Sequence, residues 1–118
     1  MIFSRRGAYY QASRVTGPTH NFLSVLLTAG PDDIRPQVEM LLGFCDGHGA
    51  LDPTKIVHSV LEGLDHANHK LGTKYKVSRI QYLSGDNPPE VIYGVLMIKI
   101  IERLASGEEF REGEPRDE

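Results

Sequence analysis

The chain has 118 residues, of which 40% are hydrophobic and 25% charged, with a formal net charge of −3 and a single cysteine. That size and balance describe one globular domain with its own core and exclude disordered and fibrous classes. The acidic balance argues against nucleic-acid binding driven by phosphate neutralisation, which needs a basic face.

The first third of the sequence predicts strands. Ala8 to Val15 is rich in residues that suit a pleated surface, Thr16-Gly17-Pro18-Thr19 is a turn, and Asn21 to Thr28 is a more hydrophobic strand, so the pair reads as a hairpin. Tyr9 and Tyr10 are adjacent on the first of these strands and point to opposite faces, so at most one belongs to the core and the other offers an aromatic surface. Gly30-Pro31-Asp32-Asp33 is a second turn. Gln37 to Leu42 alternates as a third strand, with Val38, Met40 and Leu42 facing one way and Glu39 the other. A helix over Pro36 to Leu42 is the alternative, because proline can open one; the strand is preferred.

After a loop from Gly43 to Gly49, Asp52 is placed to cap a helix that opens at Pro53 and stops at Gly72. Its apolar residues Ile56, Val57, Val60, Leu61, Leu64, Ala67 and Leu71 fall within about 140° on a wheel of about 100° per residue. Val77 to Leu83 is the last expected strand, with Ile80 and Tyr82 on one face and Val77, Arg79 and Gln81 on the other. A second helix follows, with Asn87 and Glu90 forming a capping box, Pro88 and Pro89 in the first turn and Gly107 as a left-handed stop. From Gly107 to Glu118 the text is charged and reads as a disordered acidic tail, leaving 1–106 as the folded domain. The order β-β-β-α-β-α implies an α+β layer: a mostly antiparallel sheet with two helices packed on one face.

Cys45 has no partner for an internal disulfide, and the N-terminus lacks a basic-then-apolar leader, so the expected compartment is cytoplasmic. The apolar run Val91 to Ile101 is interrupted by Lys99 and falls short of the roughly 20 residues a bilayer span needs, so no membrane association is expected.

Four groupings bear on chemistry. His58, Glu62, Asp65 and His69 form one stripe on the first helix, with spacings at which neighbours could share a divalent metal. The stripe is opposite the apolar face and points into solvent, so solvated side chains are the preferred reading over a metal site. Cys45 and His48 are candidates for a thiolate–imidazole pair, but the glycines around them fit a loop better than a rigid catalytic scaffold. The helix N-terminus after Ser84 is a possible anion site, disfavoured by Asp86 and by Asn87 and Glu90. Lys70, Lys74, Lys76 and Arg79 make a local basic cluster, read as a solvated helix end and strand start. No cofactor is implied.

The last helix is apolar around most of its circumference, so Tyr93, Ile100 and Leu104 are expected on an uncovered flank that meets a second copy in a two-fold dimer. The functional expectation is a small non-enzymatic protein-interaction domain, of the inhibitor or immunity type, with charge complementarity guiding its partner. The alternative is a small enzyme or ligand-binding domain whose pocket forms at the dimer interface from Cys45, His48 and Arg79 or Tyr82.

Overall fold

The structure is a computed structural model, and it describes residues 1–16, 19–28, 35–41, 51–83, 86 and 89–112. Strands β1 (Ile2–Arg6), β2 (Tyr9–Thr16), β3 (Thr19–Thr28) and β4 (Gln37–Leu41) come first. Helix α1 (Pro53–Leu71), strand β5 (Lys76–Leu83), helix α2 (Val91–Ser106) and the short strand β6 (Arg111–Glu112) follow. The sheet order is β4-β5-β3-β2-β1-β6. The pairs within β1-β2-β3-β5 are antiparallel, while β4 lies parallel to β5 and β6 parallel to β1. The α+β class and the expected order of strands and helices hold. Gln37–Leu41 is a strand, the preferred reading of that segment.

Strands β1 and β6 add to the expected set. The β1–β2 connection is the two residues Gly7 and Ala8, with Gly7 at φ 60 and no positive φ at any non-glycine among the described residues. That is the pattern of a II′ hairpin turn, in which a left-handed first position suits the twist of the flanking strands. Residues 107–112, expected within the charged tail, instead return to the sheet. Phe110 meets Tyr10 and Phe3 edge-on, with ring centres 5.0 and 6.0 Å apart. Arg103 holds the segment by donating to the Glu109 carbonyl and pairing with Glu108, both at 2.8 Å. Residues 113–118 of the expected tail lie outside the described residues.

Both helices cover one sheet face. The rows Tyr10–Val25–Ile80–Val38 and Ala12–Leu23–Tyr82–Met40 run across that face. Their central members join Ile56, Val60, Leu64 and Ala67 of α1 and Tyr93, Leu96, Met97, Ile100 and Ile101 of α2 in one core. Leu61 and Leu71, expected on the buried stripe, are 38% and 37% exposed and mark its rim. Val77 shares the core face with Ile80 and Tyr82, against the expected alternation, because Leu26 pairs Arg79 while Leu27 pairs Val77. Ser78 is the extra residue of that bulge, and one inserted residue reverses the facing of everything before it.

The caps of α1 are as the sequence implies. Asp52 accepts from the Thr54 amide at 2.9 Å, and Gly72 closes the helix at φ 69. At α2, Gly107 closes at φ 76, but the helix starts at Val91 after Glu90, whose side chain makes no capping bond. Glu90 accepts instead from the Asp52 amide at 3.0 Å, joining the starts of the two helices. Asn87 and Pro88 lie outside the described residues. Near the other ends Lys70 of α1 lies 3.6 Å from Glu102 of α2, so the helices run side by side in the same direction.

Candidate functional site

The chemically richest cluster lies where β5 leaves the sheet. The Asp86 amide donates to the Leu83 carbonyl at 3.1 Å, turning the chain so that its carboxylate reaches back to β3. There it accepts from the Phe22 amide at 2.7 Å and the Tyr93 hydroxyl at 2.6 Å, and lies 3.0 Å from His20 Nδ1. The Asp86 side chain is fully buried, while that of His20 is 41% exposed. Burial pushes the Tyr93 phenol far above its ordinary range, and the hydrogen bond to Asp86 and its negative charge push it further. Tyr93 is therefore a neutral donor at neutral pH. Tyr82, edge-on to Tyr93 at 6.3 Å, is also raised, by burial and then by the charge of Asp52.

A histidine oriented by a buried carboxylate is half of a general-base arrangement. Among the described residues, however, each of these contacts is spent on the join between β3, the turn after β5 and α2. The cluster replaces the strand partner that Phe22 loses where β5 ends, and a buried carboxylate with several donors is what such a join requires. No signal in the sequence pointed to His20.

The second candidate is the sheet face opposite α1 and α2, which carries no helix among the described residues. Three of its cross-strand rows cross the central strands. Ile2, Ser13 and Phe22 form one, at whose end Phe22 is buried. The middle row is Ser4, Gln11, Ser24, Gln81 and Glu39. Ser4 donates to Gln11 at 3.0 Å, Gln11 to Ser24 at 3.2 Å and Gln81 to Glu39 at 3.3 Å, so this row largely satisfies itself. The third row is Arg6, Tyr9, Leu26, Arg79 and Gln37. Arg6, Arg79 and Gln37 are exposed, and Tyr9 and Leu26 half-buried. Polar residues suit any solvated sheet face. What distinguishes this row is an aromatic and an aliphatic side chain bracketed by two arginines, neither of which forms an ion pair or hydrogen bond among the described residues.

The remaining expected site residues are dispersed. His58 pairs with Glu62 at 2.8 Å, both well exposed, and among the described residues no three His, Cys, Asp or Glu side chains are placed to hold a metal. Cys45 and His48 lie outside the described residues. Arg79 and Tyr82 are on opposite faces of the sheet and cannot line one pocket. Tyr93 and Ile100, expected on an exposed flank of α2, are 0% exposed, and Leu104 is partly buried against the core. α1 and the sheet close that flank within one chain, and the outward valines of α2 are Val91 and Val95, 62% and 38% exposed.

Comparison of the chain with protein-family models, curated proteins and solved structures returned no match. No helix among the described residues is long and apolar enough to cross a membrane.

Proposed function

We propose that the protein is a non-enzymatic interaction domain that binds a protein partner through the helix-free face of its sheet, in the manner of an inhibitor or immunity-type partner of a larger protein. The observation that carries this reading is the row Arg6–Tyr9–Leu26–Arg79–Gln37. Tyrosine and arginine are the residue types that anchor protein interfaces, and here they stand on a rigid sheet rather than on a loop. The six-stranded sheet, braced from behind by both helices, presents them with little ordering left to do on binding.

The test is partner recovery from the native host with surface variants of the whole chain. Leu26→Glu places a charge in the middle of the row, and Glu62→Ala alters the opposite, helical side. The reading expects Leu26→Glu, folded by circular dichroism, to lose a partner that wild type and Glu62→Ala both retain. Equal recovery by all three would place the interface elsewhere and overturn it. The alternative of an enzyme with a pocket at a dimer interface draws on Cys45 and His48, and no observation among the described residues favours it.

A further inference from the structure

The arginines of the helix-free face differ in one respect from three cations of the helical side, Lys70, Lys99 and Arg103. Lys70 and Lys99 each lie within 3.6 Å of Glu102, and Arg103 lies 2.8 Å from Glu108. Those cations are neutralised inside the chain. Arg6 and Arg79 meet no carboxylate among the described residues, and they stand three strand spacings apart, about 14 Å at about 4.8 Å each. Arg111 joins them by pairing with Ser4 in the neighbouring row, where Glu39 is the one acidic member. Among the described residues, a chain whose net charge is −3 thus turns a locally positive face outward.

We infer that this face recognises an acidic protein surface, its carboxylates meeting Arg6 and Arg79 while Tyr9 and Leu26 fill the contact between them. The inference rests on the reading of this face as a protein interface and adds the chemistry of the partner. A guanidinium presents a planar fork that matches a carboxylate through paired hydrogen bonds, and its weak hydration makes its burial cheaper than that of a lysine. Charge complementarity of this kind speeds encounter and selects the partner, and it gives a salt-dependent association rate. A single-stranded nucleic acid is the competing anion. It favours successive aromatic platforms and an overall basic protein. Here Tyr9 is the aromatic of the exposed row, Phe22 on the same face is buried, and the net charge is negative.

The probes are fluorescent poly-L-glutamate and a labelled oligo-dT of similar length, titrated with the whole chain and followed by anisotropy at low and raised salt. The double variant Arg6→Gln/Arg79→Gln is compared with Lys55→Gln/Lys74→Gln, which removes the same charge away from the row. Saturable binding of poly-L-glutamate that weakens about tenfold in the arginine variant, and less than about twofold in the lysine variant, supports the inference. Tighter binding of oligo-dT than of poly-L-glutamate overturns it in favour of a nucleic-acid face. Equal weakening by both variants overturns it by reducing the effect to net charge. If poly-L-glutamate does not bind while Leu26→Glu still loses the native partner, the acidic partner is refuted and the interface reading stands.

Discussion

Gly63 of α1 and Gly94 of α2 face each other at the point where the helices touch. A methyl group on Gly63 would collide with the backbone carbonyl of Gly94, and one on Gly94 would lie 2.7 Å from both the carbonyl and the hydroxyl of Ser59. The same hydroxyl accepts from the Gly94 amide at 2.9 Å, so the contact is hydrogen-bonded as well as close. Alanine at either site gains about 1 kcal/mol of helix propensity, but backbone atoms cannot yield as a side chain can. Gly63→Ala and Gly94→Ala are each expected to lose about 2 kcal/mol net in urea unfolding. A gain in stability from either would mean that the helices stand farther apart.

The Asp86 join makes stability sensitive to alkali. The folded Tyr93 phenol is raised above the value of about 10 that it has in the unfolded chain, so its contribution is complete below that pH. Above it the unfolded chain releases the proton and the folded protein does not, and stability falls by about 1.4 kcal/mol per pH unit for such a group. Tyr93→Phe should cost about 1–2 kcal/mol at neutral pH, because Asp86 loses a donor. It should also flatten the decline between about pH 10 and 11. Parallel alkaline slopes for wild type and variant would show that Tyr93 ionises without unfolding.

The rim position of Leu61 redirects the test of the first helix. Val60 is fully buried and Leu61 is not. Val60→Asp should cost several kcal/mol, by burying an unpaired charge, whereas Leu61→Asp should cost about 1 kcal/mol and Glu62→Ala a few tenths. Melting temperatures in any other order would contradict the facing of α1.

Phe110 gives the returning C-terminal segment its hold. Its ring lies between Phe3 and Tyr10, with the Arg103 guanidinium 4.7 Å from the Phe3 ring and 5.8 Å from that of Phe110. Phe110→Ala is expected to lose about 2 kcal/mol, the partial burial of one aromatic and its edge contacts. Proteolysis should then open the chain after Gly107 first. A variant as stable and as resistant as wild type would return residues 107–112 to the expected tail.

The layers were legible in the sequence because they follow from local rules. Asp52, Pro53 and Gly72 bracket α1 by capping chemistry, and the split of Tyr9 from Tyr10 follows from pleating. What escaped depends on partners distant in the chain. His20 and Asp86 are separated by 66 residues, so no motif spacing connects them. The bulge at Ser78 cannot be seen by counting alternate residues, and it reversed the facing of Val77. Phe110 stood alone in a charged stretch, where composition outweighed a single ring. The row of Arg6, Tyr9, Leu26 and Arg79 is a product of strand register, and β1 carries no strand pattern that its residues announce on their own.

The burial of Tyr93 and Ile100 also changes what is expected of self-association. An apolar helix needs cover on nearly all sides, and that need first suggested a second copy of the chain. In the fold the cover comes from α1, drawn close by Gly63 and Gly94, and from β2 and β3 beneath α2. The outward valines Val91 and Val95 are two small side chains, and apolar patches of up to a few hundred Å² are ordinary on monomers. The isolated protein is therefore expected to sediment near 13.2 kDa at micromolar concentration. Val91→Ser should leave that mass unchanged. A species of twice the mass that Val91→Ser disperses would identify the outer stripe of α2 as a dimer contact. A dimer that Leu26→Glu disperses would instead make a second copy an occupant of the sheet face.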